Sequence, residues 1–433
     1  MHKRMLLIAI LFVFTLLAIV PMAAAQDDVQ FVSFMTTFGG SELEGLRHSL
    51  DEFTAQTGIQ VIIESNRQLV PILRTRLAGG SPPDVALIPQ PGTLAEFARA
   101  GYLIPLVNAD GSAGLVDAAV VSDNYSPAIA DLGVVDGVTY GILAKANSKS
   151  TMWYSPASFA ELGVEPPTTW DELLAIQQAY LDAGLTPWSI GGSDSWTLTD
   201  WFENIYVRQN GPEKYLQLFA THEVAWTDPS VVAALEAFQQ IVDPADTNLA
   251  GGVEGTLSTD FITAANMVFR PDNEAEMYYE GGFMGGIISS NFPELTPIDD
   301  FNAFLFPPFS EDMGAPVVGG GDLLAVFSDR PEVAQLVEWM ASTEGNTLWA
   351  TAPAGAVVSP NMNVDLGVYS PLAAIDAGQV AGASAFVFDG SDLMPPAASE
   401  GFGIALQEFI ANPGDIESIL QDLEDTAAAS YSS

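Results

Sequence analysis

The 433-residue chain contains no cysteine. That absence excludes disulfides, thiolate zinc sites, cysteine redox pairs and the lipid-bearing cysteine of an anchored lipoprotein. Positive charge is nearly as scarce, with 13 Lys and Arg against 55 Asp and Glu and a formal charge of −42. Nucleic acid is excluded as a partner, because binding a phosphate backbone relies on basic side chains that release counterions. The imbalance comes from missing cations more than from surplus acids, so it reads as a solubility and environment trait and not as a site.

Only two histidines follow residue 25, His48 and His222, and each reads as a surface residue because no partner motif accompanies it. The chain also lacks a G-x-S-x-G elbow, a G-x-x-x-x-G-K-[ST] loop, an H-E-x-x-H pair and a strand-linked G-x-G-x-x-G. A glycosidase needs only two carboxylates at a set separation, so a chain with 55 acids leaves that alternative open. Asn108 to Gly111 and the pair Asp389, Asp392 miss the twelve-residue calcium spacing and read as turns. No metal site and no cofactor is expected.

What is present is a chain 48% hydrophobic, too apolar for disorder and long enough for two or three cores. Lys3 and Arg4 precede the apolar run Met5 to Val20, and Ala23-Ala24-Ala25 follows Pro21. Residues 1–25 therefore read as a secretory signal cleaved before Gln26, with an uncleaved anchor as the alternative, for which the run is short. Its removal leaves 11 cations against 55 acids, a formal −44. The expected product is exported, soluble and acidic.

Val29 to Met35 reads as a strand, followed by the loop from Thr36 to Gly40 and a helix from Ser41, where Ser41 and Glu44 have capping-box spacing and Gly58 suits the stop. Strand Ile59 to Glu64, helix Leu69 to Ala78 and strand Val85 to Ile88 continue an alternation that implies a mostly parallel sheet covered by helices. Ligands of such sheets sit beyond the C-terminal strand ends, which draws attention to Thr37 to Ser41 and to Gln90.

Helices are expected over 169–183, 198–208, 211–220 and 229–242, the first with a Thr169–Glu172 capping box after Pro166-Pro167. Short apolar runs return at 283–288, 303–306 and 323–327, then a helix over 331–340 and a final one over 400–410. No repeat or low-complexity tract appears, and lobes sharing the chain discontinuously are as compatible with the pattern as domains in series.

Aromatics stand beside small polar residues and glycine at Trp153-Tyr154, Gly191 to Trp196 and Phe388 to Asp392. Sugars present C–H faces to rings and vicinal hydroxyls to carboxylates and amides, so a carbohydrate site needs this mixture. Core packing explains Trp170 and is favoured for Trp153 and Trp339, whereas Trp196 among loop polars fits either role.

The order of motifs resembles the extracellular solute-binding proteins of sugar-importing ABC transporters, the maltose-binding-like family 1, in its α-glucoside-type branch. The segments carrying the resemblance are Gly101 to Leu106, Asp136 to Ile142, Leu162 to Leu173, Glu280 to Gly285, Gly319 to Asp322 with Pro331 to Ala334, and Phe388 to Pro395. Lys145-Ala146-Asn147 and Trp153-Tyr154-Ser155 depart from the family's usual residues at those places.

The resemblance implies an α/β fold of periplasmic-binding-protein type II. Two lobes, each a mixed, mostly parallel sheet flanked by helices, would hold ligand between them. It places lobe 1 at 27–143 plus 322–364 and lobe 2 at 144–321 plus 365–433, with crossings near 142–144, 318–323 and 361–366. It also implies capture without chemistry, a carbohydrate ligand, delivery to membrane permease subunits, a monomer, and a periplasmic or extracellular location. Ligand-facing residues would be Thr37, Gly40, Ser41, Gln90, Lys145, Trp196, Phe283, Met284, Gly320, Asp322 and Asp392. A polyamine or metal-ion binder of the same fold remains an alternative, although Tyr278-Tyr279 reads as helical surface packing and not as an iron-binding pair.

Overall fold

The computed structural model describes residues 30–310, 314–353 and 357–432, so the signal expected at 1–25 lies outside the described residues. No helix among them is long and apolar enough to cross a membrane. Strands β1 (Phe31–Thr36), β2 (Gln60–Ser65) and β3 (Val85–Ile88) alternate with helices Gly40–Thr57 and Leu69–Ala78, and β1 pairs in parallel with both β2 and β3. A short hairpin, β4 (Val134–Val135) with β5 (Val138–Thr139), leads into the fully buried β6 (Gly141–Ser148).

A second sheet, β10-β7-β9-β8, is built from β7 (Thr151–Tyr154), β8 (Trp188–Ser189), β9 (Met277–Tyr279) and β10 (Asn302–Leu305). The long β11 (Val317–Val326) and short β12 (Phe386–Phe388) return to the first sheet, whose order is β12-β11-β3-β1-β2 with β6 also on β11. The fold is mixed α/β, as expected. Within it the second sheet departs from the mostly parallel expectation, since β7 is antiparallel to both β9 and β10 and only β8 and β9 run parallel. The reason is the connection: a helical crossover through Met284–Asn291 keeps β9 and β10 in one direction, and β7 fills the place between them in the other.

Both sheets are covered on both faces, and strand alternation sorts the side chains. Val32, Phe34, Val85, Leu87, Leu324 and Val326 enter one apolar cluster of the first sheet, while Met35, Ala86, Ile88, Leu323 and Ala325 enter the opposite one. In the second sheet Met152, Tyr154, Met277 and Tyr279 face one cluster, and Trp153 and Tyr278 face the other. Trp153, Trp170 and Trp339 are buried packing residues.

β6 and β11 pair antiparallel along most of their length, Gly141 to Leu143 with Leu323 to Ala325 and Lys145 to Ser148 with Gly319 to Asp322. The register shifts between Asp322 and Leu323. β11 thus meets β3 through one half and β12 through the other.

Several local expectations change. Gly39 is the N-cap of helix Gly40–Thr57 and no side chain caps it, so the Ser41–Glu44 box does not form and the Ser41 hydroxyl is buried without a partner. The Thr169 cap does form, with the Glu172 N–H donating to Thr169 Oγ1 at 3.3 Å, while the Glu172 carboxylate accepts from the N–H of Thr168, one residue before the cap, at 2.7 Å. The helices expected over 198–208 and 211–220 are both present within Trp196–Phe219, parted by a break at Gly211, whose φ of 79° and ψ of 167° are not helical and suit a residue without Cβ, with Pro212 following it. The last helix is Ile416–Tyr431, beyond the one expected to end the chain. Tyr278 and Tyr279 lie buried on β9 and are neither helical nor exposed, because the β7–β9 pairing encloses them. His48 is exposed, whereas His222 is half-buried, its ring stacked on Tyr431 and Nε2 3.2 Å from Glu424.

Candidate ligand-binding cleft

The ends of β1 and β3 carry Thr37 and Gln90 to the rim of a cavity of about 390 Å3, as the topology rule anticipates. The floor comes from the β6 edge and its continuation, where alternation turns Lys145, Asn147 and Lys149 to one side, opposite Gly321 and Asp322 of β11. Trp196, Phe261, Phe283 and Asp392 supply the facing wall. Adjoining cavities of about 520 Å3 and 370 Å3 share lining residues with it, the first through Lys145 and Phe283, the second through Gln90 and Trp196.

Lys145 Nζ lies 2.6 Å from Glu42 and 3.6 Å from Asp322, and 4.4 Å from the centre of the Phe38 ring. Burial disfavours its charge, yet the two carboxylates outweigh that and raise its pKa. Burial likewise pushes Asp322 up, and Lys145, drawn closer to Glu42, offsets this only in part.

Lys149 is bonded to Asp389, lies 3.3 Å from Asp200 and 4.0 Å from Asp392, and sits 5.3 Å from the Trp196 ring centre. Against burial, Asp200, Asp389 and Asp392 raise its pKa strongly. Burial and the neighbouring Asp389 push the Asp392 carboxyl well up, with Lys149 pulling it back. Asp389 ends below its usual range: burial opposes this, but Lys149 and the Ser391 hydroxyl win.

Gly320 leaves room for the Lys149 stem, since a Cβ there would lie 2.9 Å from Lys149 Cε. Asp200, Glu203 and Asp389 bring carboxylate oxygens within 4.8 Å of one another. Lys149 supplies the compensating charge to two of them, so the cluster carries its own cation.

Seven of the expected residues, Thr37, Gln90, Lys145, Trp196, Phe283, Asp322 and Asp392, line the central cavity. Ser41 lines the 520 Å3 compartment beside it, and Gly320 lies behind Lys149. Two lie elsewhere. Gly40 is exposed at the helix start with a φ of 50°, and Met284 is fully buried in an apolar cluster with Trp153, Ile288 and Phe301. Helix Met284–Asn291 begins there, and its first turn directs Met284 into the core while Phe283 stays on the cleft.

Glu42, Arg67, Asn147, Lys149, Asp194 and Phe261 were not anticipated. A signal for two of them existed: the K-x-N-x-K alternation holds two of the three lysines that follow residue 25.

A cavity of about 550 Å3 between Ser158, Tyr180, Arg270 and Glu276 is slightly larger. Its polar groups bond one another, Ser158 to Tyr180 at 3.0 Å and Asn273 to Glu276 at 3.0 Å. The cleft instead keeps Ser41 Oγ, Gln90 Oε1 and Asn147 Nδ2 buried with no protein partner, which leaves them free to bond a ligand.

Asp376 faces the 520 Å3 compartment and accepts the Ser148 N–H at 2.6 Å; its carboxyl stands where Gly282 would carry a Cβ. Burial pushes its pKa up to about 7, with the Ser148 N–H and Lys145 working the other way. A raised carboxyl favours the fold while protonated, so its contribution is full below pH 4 and fades as pH rises towards 7. Asp376→Asn, measured by thermal melting, is expected to match the parent at pH 4 and to melt higher at pH 8.

Two helix-covered β-sheets, with a polar, charge-compensated and aromatic cleft beside the long paired strands β6 and β11 of the first, define a receptor for a small solute. The chain belongs to the bacterial extracellular solute-binding proteins, whose family model matches residues 39–347. This is a non-enzymatic class that serves ABC transporters.

The chain is 32% identical over 410 residues to the osmoprotective compounds-binding protein GgtB of Synechocystis sp., covering 93% of this chain and 94% of that one. It is 30% identical over 374 residues to the alpha-glucosides-binding periplasmic protein AglE of Rhizobium meliloti, covering 83% and 78%. Among solved structures, the solute receptor AcbH, reported with an exclusive preference for β-D-galactopyranose, matches with a TM-score of 0.79 at 17% identity over 93% of this chain and all of that one. The GacH receptor of Streptomyces glaucescens, solved unliganded and with acarbose, gives 0.71 at 17% identity, covering 93% and 98%. These last two show a shared fold.

Proposed function

We propose that this chain captures an extracellular carbohydrate, of the α-glucoside or short oligosaccharide kind, and delivers it to the permease of an ABC importer. The observation that carries the reading is the cleft's combination of unpaired buried amide and hydroxyl atoms with charges that already have partners. Gln90, Asn147 and Ser41 offer hydrogen bonds to ligand hydroxyls, and Trp196 and Phe283 offer rings to C–H faces. A polyamine finds Glu42 and Asp322 engaged by Lys145 and Asp392 faced by Lys149, which favours a neutral polyhydroxyl ligand. The name of the alpha-glucosides-binding relative supports the same reading.

Capture works by a change of population. Residues 27–143 with 322–364 form one lobe and 144–321 with 365–433 the other, and β6 and β11 cross between them. Ligand bound to both lobes favours the closed form that a permease recognises, and only differential affinity for that form shifts the equilibrium. The exported protein, freed of residues 1–25, acts as a monomer outside the cytoplasmic membrane.

The test is tryptophan fluorescence and melting temperature of residues 26–433 against mono- and disaccharides including α-glucosides, with spermidine and ferric citrate as controls. A saturable shift with one sugar class and no turnover is expected. A response only to spermidine or ferric citrate would overturn the carbohydrate reading.

A further inference from the structure

The elements of the two sheets meet across the cleft through protein atoms alone at both of its flanks. On one flank Ser41, at the start of helix Gly40–Thr57, stands against Gly286 of helix Met284–Asn291, so close that a Cβ on Gly286 would lie 3.1 Å from the Ser41 hydroxyl oxygen. Both residues line the 520 Å3 compartment. On the other flank, beside the 370 Å3 cavity, one side chain reaches over, that of Arg67.

Arg67 lies in the turn after β2 and so belongs to the first sheet. Its guanidinium stands 4.0 Å from Glu42 on its own side and over the Phe261 ring, 5.5 Å from the centre, on the other. Phe261 opens helix Phe261–Phe269, which packs on the second sheet with Trp153 and Tyr278. Asp194 holds that helix start, accepting the Phe261 N–H at 2.9 Å. Burial raises the Asp194 pKa, and the Phe261 N–H and the Arg67 charge pull it back while Asp260 adds to the rise. Arg67 therefore meets both a ring and negative charge on the far side.

The near-side pair is loose. Glu42 is already taken by Lys145 at 2.6 Å, and the Arg67 side chain is 50% exposed, so its ion pair with Glu42 is worth little and leaves it free to move. A guanidinium suits a contact that is made and broken, because it is planar, weakly hydrated and stacks on a ring face.

Resting on the capture reading above, we infer that Arg67 is a clasp across the cleft mouth, gripping Phe261 only when the two lobes are together and so favouring the closed form. Contacts made only in the closed state slow opening and leave the encounter with solute unchanged. Arg67 then sets how long a solute is held, and not which solute is chosen.

Stopped-flow fluorescence of residues 26–433 with the preferred sugar tests this. Arg67→Met, which keeps the stem and removes the charge, is expected to speed release about two- to fivefold with the association rate unchanged. Phe261→Leu is expected to do the same, the double variant to be no faster than either single one, and Arg67→Lys to keep part of the hold. An unchanged release rate in Arg67→Met, or single effects that multiply in the double variant, overturns the clasp. An effect present with one bound sugar and missing with another makes Arg67 a ligand contact and overturns it as well.

The cysteine-free chain allows a second readout without solute. Ile62→Cys on β2 and Leu216→Cys on helix Trp196–Phe219, both at exposed positions, take spin labels whose separation reports closure. Arg67→Met is expected to shift the unliganded distances towards the open cleft, and identical distributions would refute the clasp. If the parent binds no sugar, the capture reading falls while these distances still decide on Arg67, so the two failures are separable.

Discussion

Lys149→Met is expected to have the largest effect of any single change in the cleft. The Lys149 ammonium is bonded to Asp389 and faces Asp200 at 3.3 Å and Asp392 at 4.0 Å, and Asp200 and Asp389 are completely buried. Removing one partner of a buried ion pair leaves an uncompensated charge and costs about 3–5 kcal/mol. Methionine fills the space of the stem that Gly320 admits, so the loss is electrostatic and not a cavity.

The sign with pH follows from the carboxyls. Asp200 and Asp392 already have raised pKa values, and without the lysine they rise further. The variant therefore loses most stability at pH 8 and recovers part of it as the pH falls and these groups take up protons. Urea unfolding at the two pH values measures this, and an unshifted midpoint at pH 8 would refute the assignment.

Trp196→Ala is expected to weaken sugar binding at least tenfold, about 1.4 kcal/mol or more, while the protein remains folded. The ring is half-buried at the start of its helix, lies 5.2 Å from Phe261 and 6.3 Å from Phe283, and borders two of the three adjoining cavities. Its removal takes a stacking surface from the ligand and little from the core, whose Trp153, Trp188 and Trp201 are fully enclosed elsewhere. Calorimetric titration with the preferred sugar, beside a melting curve, separates the two effects. An unchanged affinity would remove Trp196 from the site.

Helix Leu69–Ala78, strand β3 and helix Pro229–Val242 were legible to the residue, because apolar periodicity and flanking Gly and Pro are local signals. The Thr169 cap was legible for the same reason. The Ser41 box was not, because Gly39 begins that helix and the Ser41 hydroxyl is directed to the cleft. The helix Ile416–Tyr431 went unread although Ile419, Leu420, Leu423 and Ala427 form its buried stripe.

The site divides along the same line. Thr37 and Gln90 follow strands, and the topology of a parallel sheet points to such positions before any coordinates exist. Trp196 and Asp392 stand out among small polar residues. By contrast, Met284 and Phe283 are equivalent in the sequence, and only the start of helix Met284–Asn291 sends one to the core and the other to the cleft.

The chain's own composition decides that it has no disulfide, no thiolate metal and no basic face for nucleic acid, since residue types that are missing or scarce cannot be supplied by folding. Periodicity and capping decide most elements, because they act within a few residues. Which charges are neutralised and which polar atoms stay free is decided only in three dimensions. Lys145 meets Glu42 across 103 positions and Lys149 meets Asp389 across 240, and a buried atom counts as unpaired only once all of its neighbours are in place.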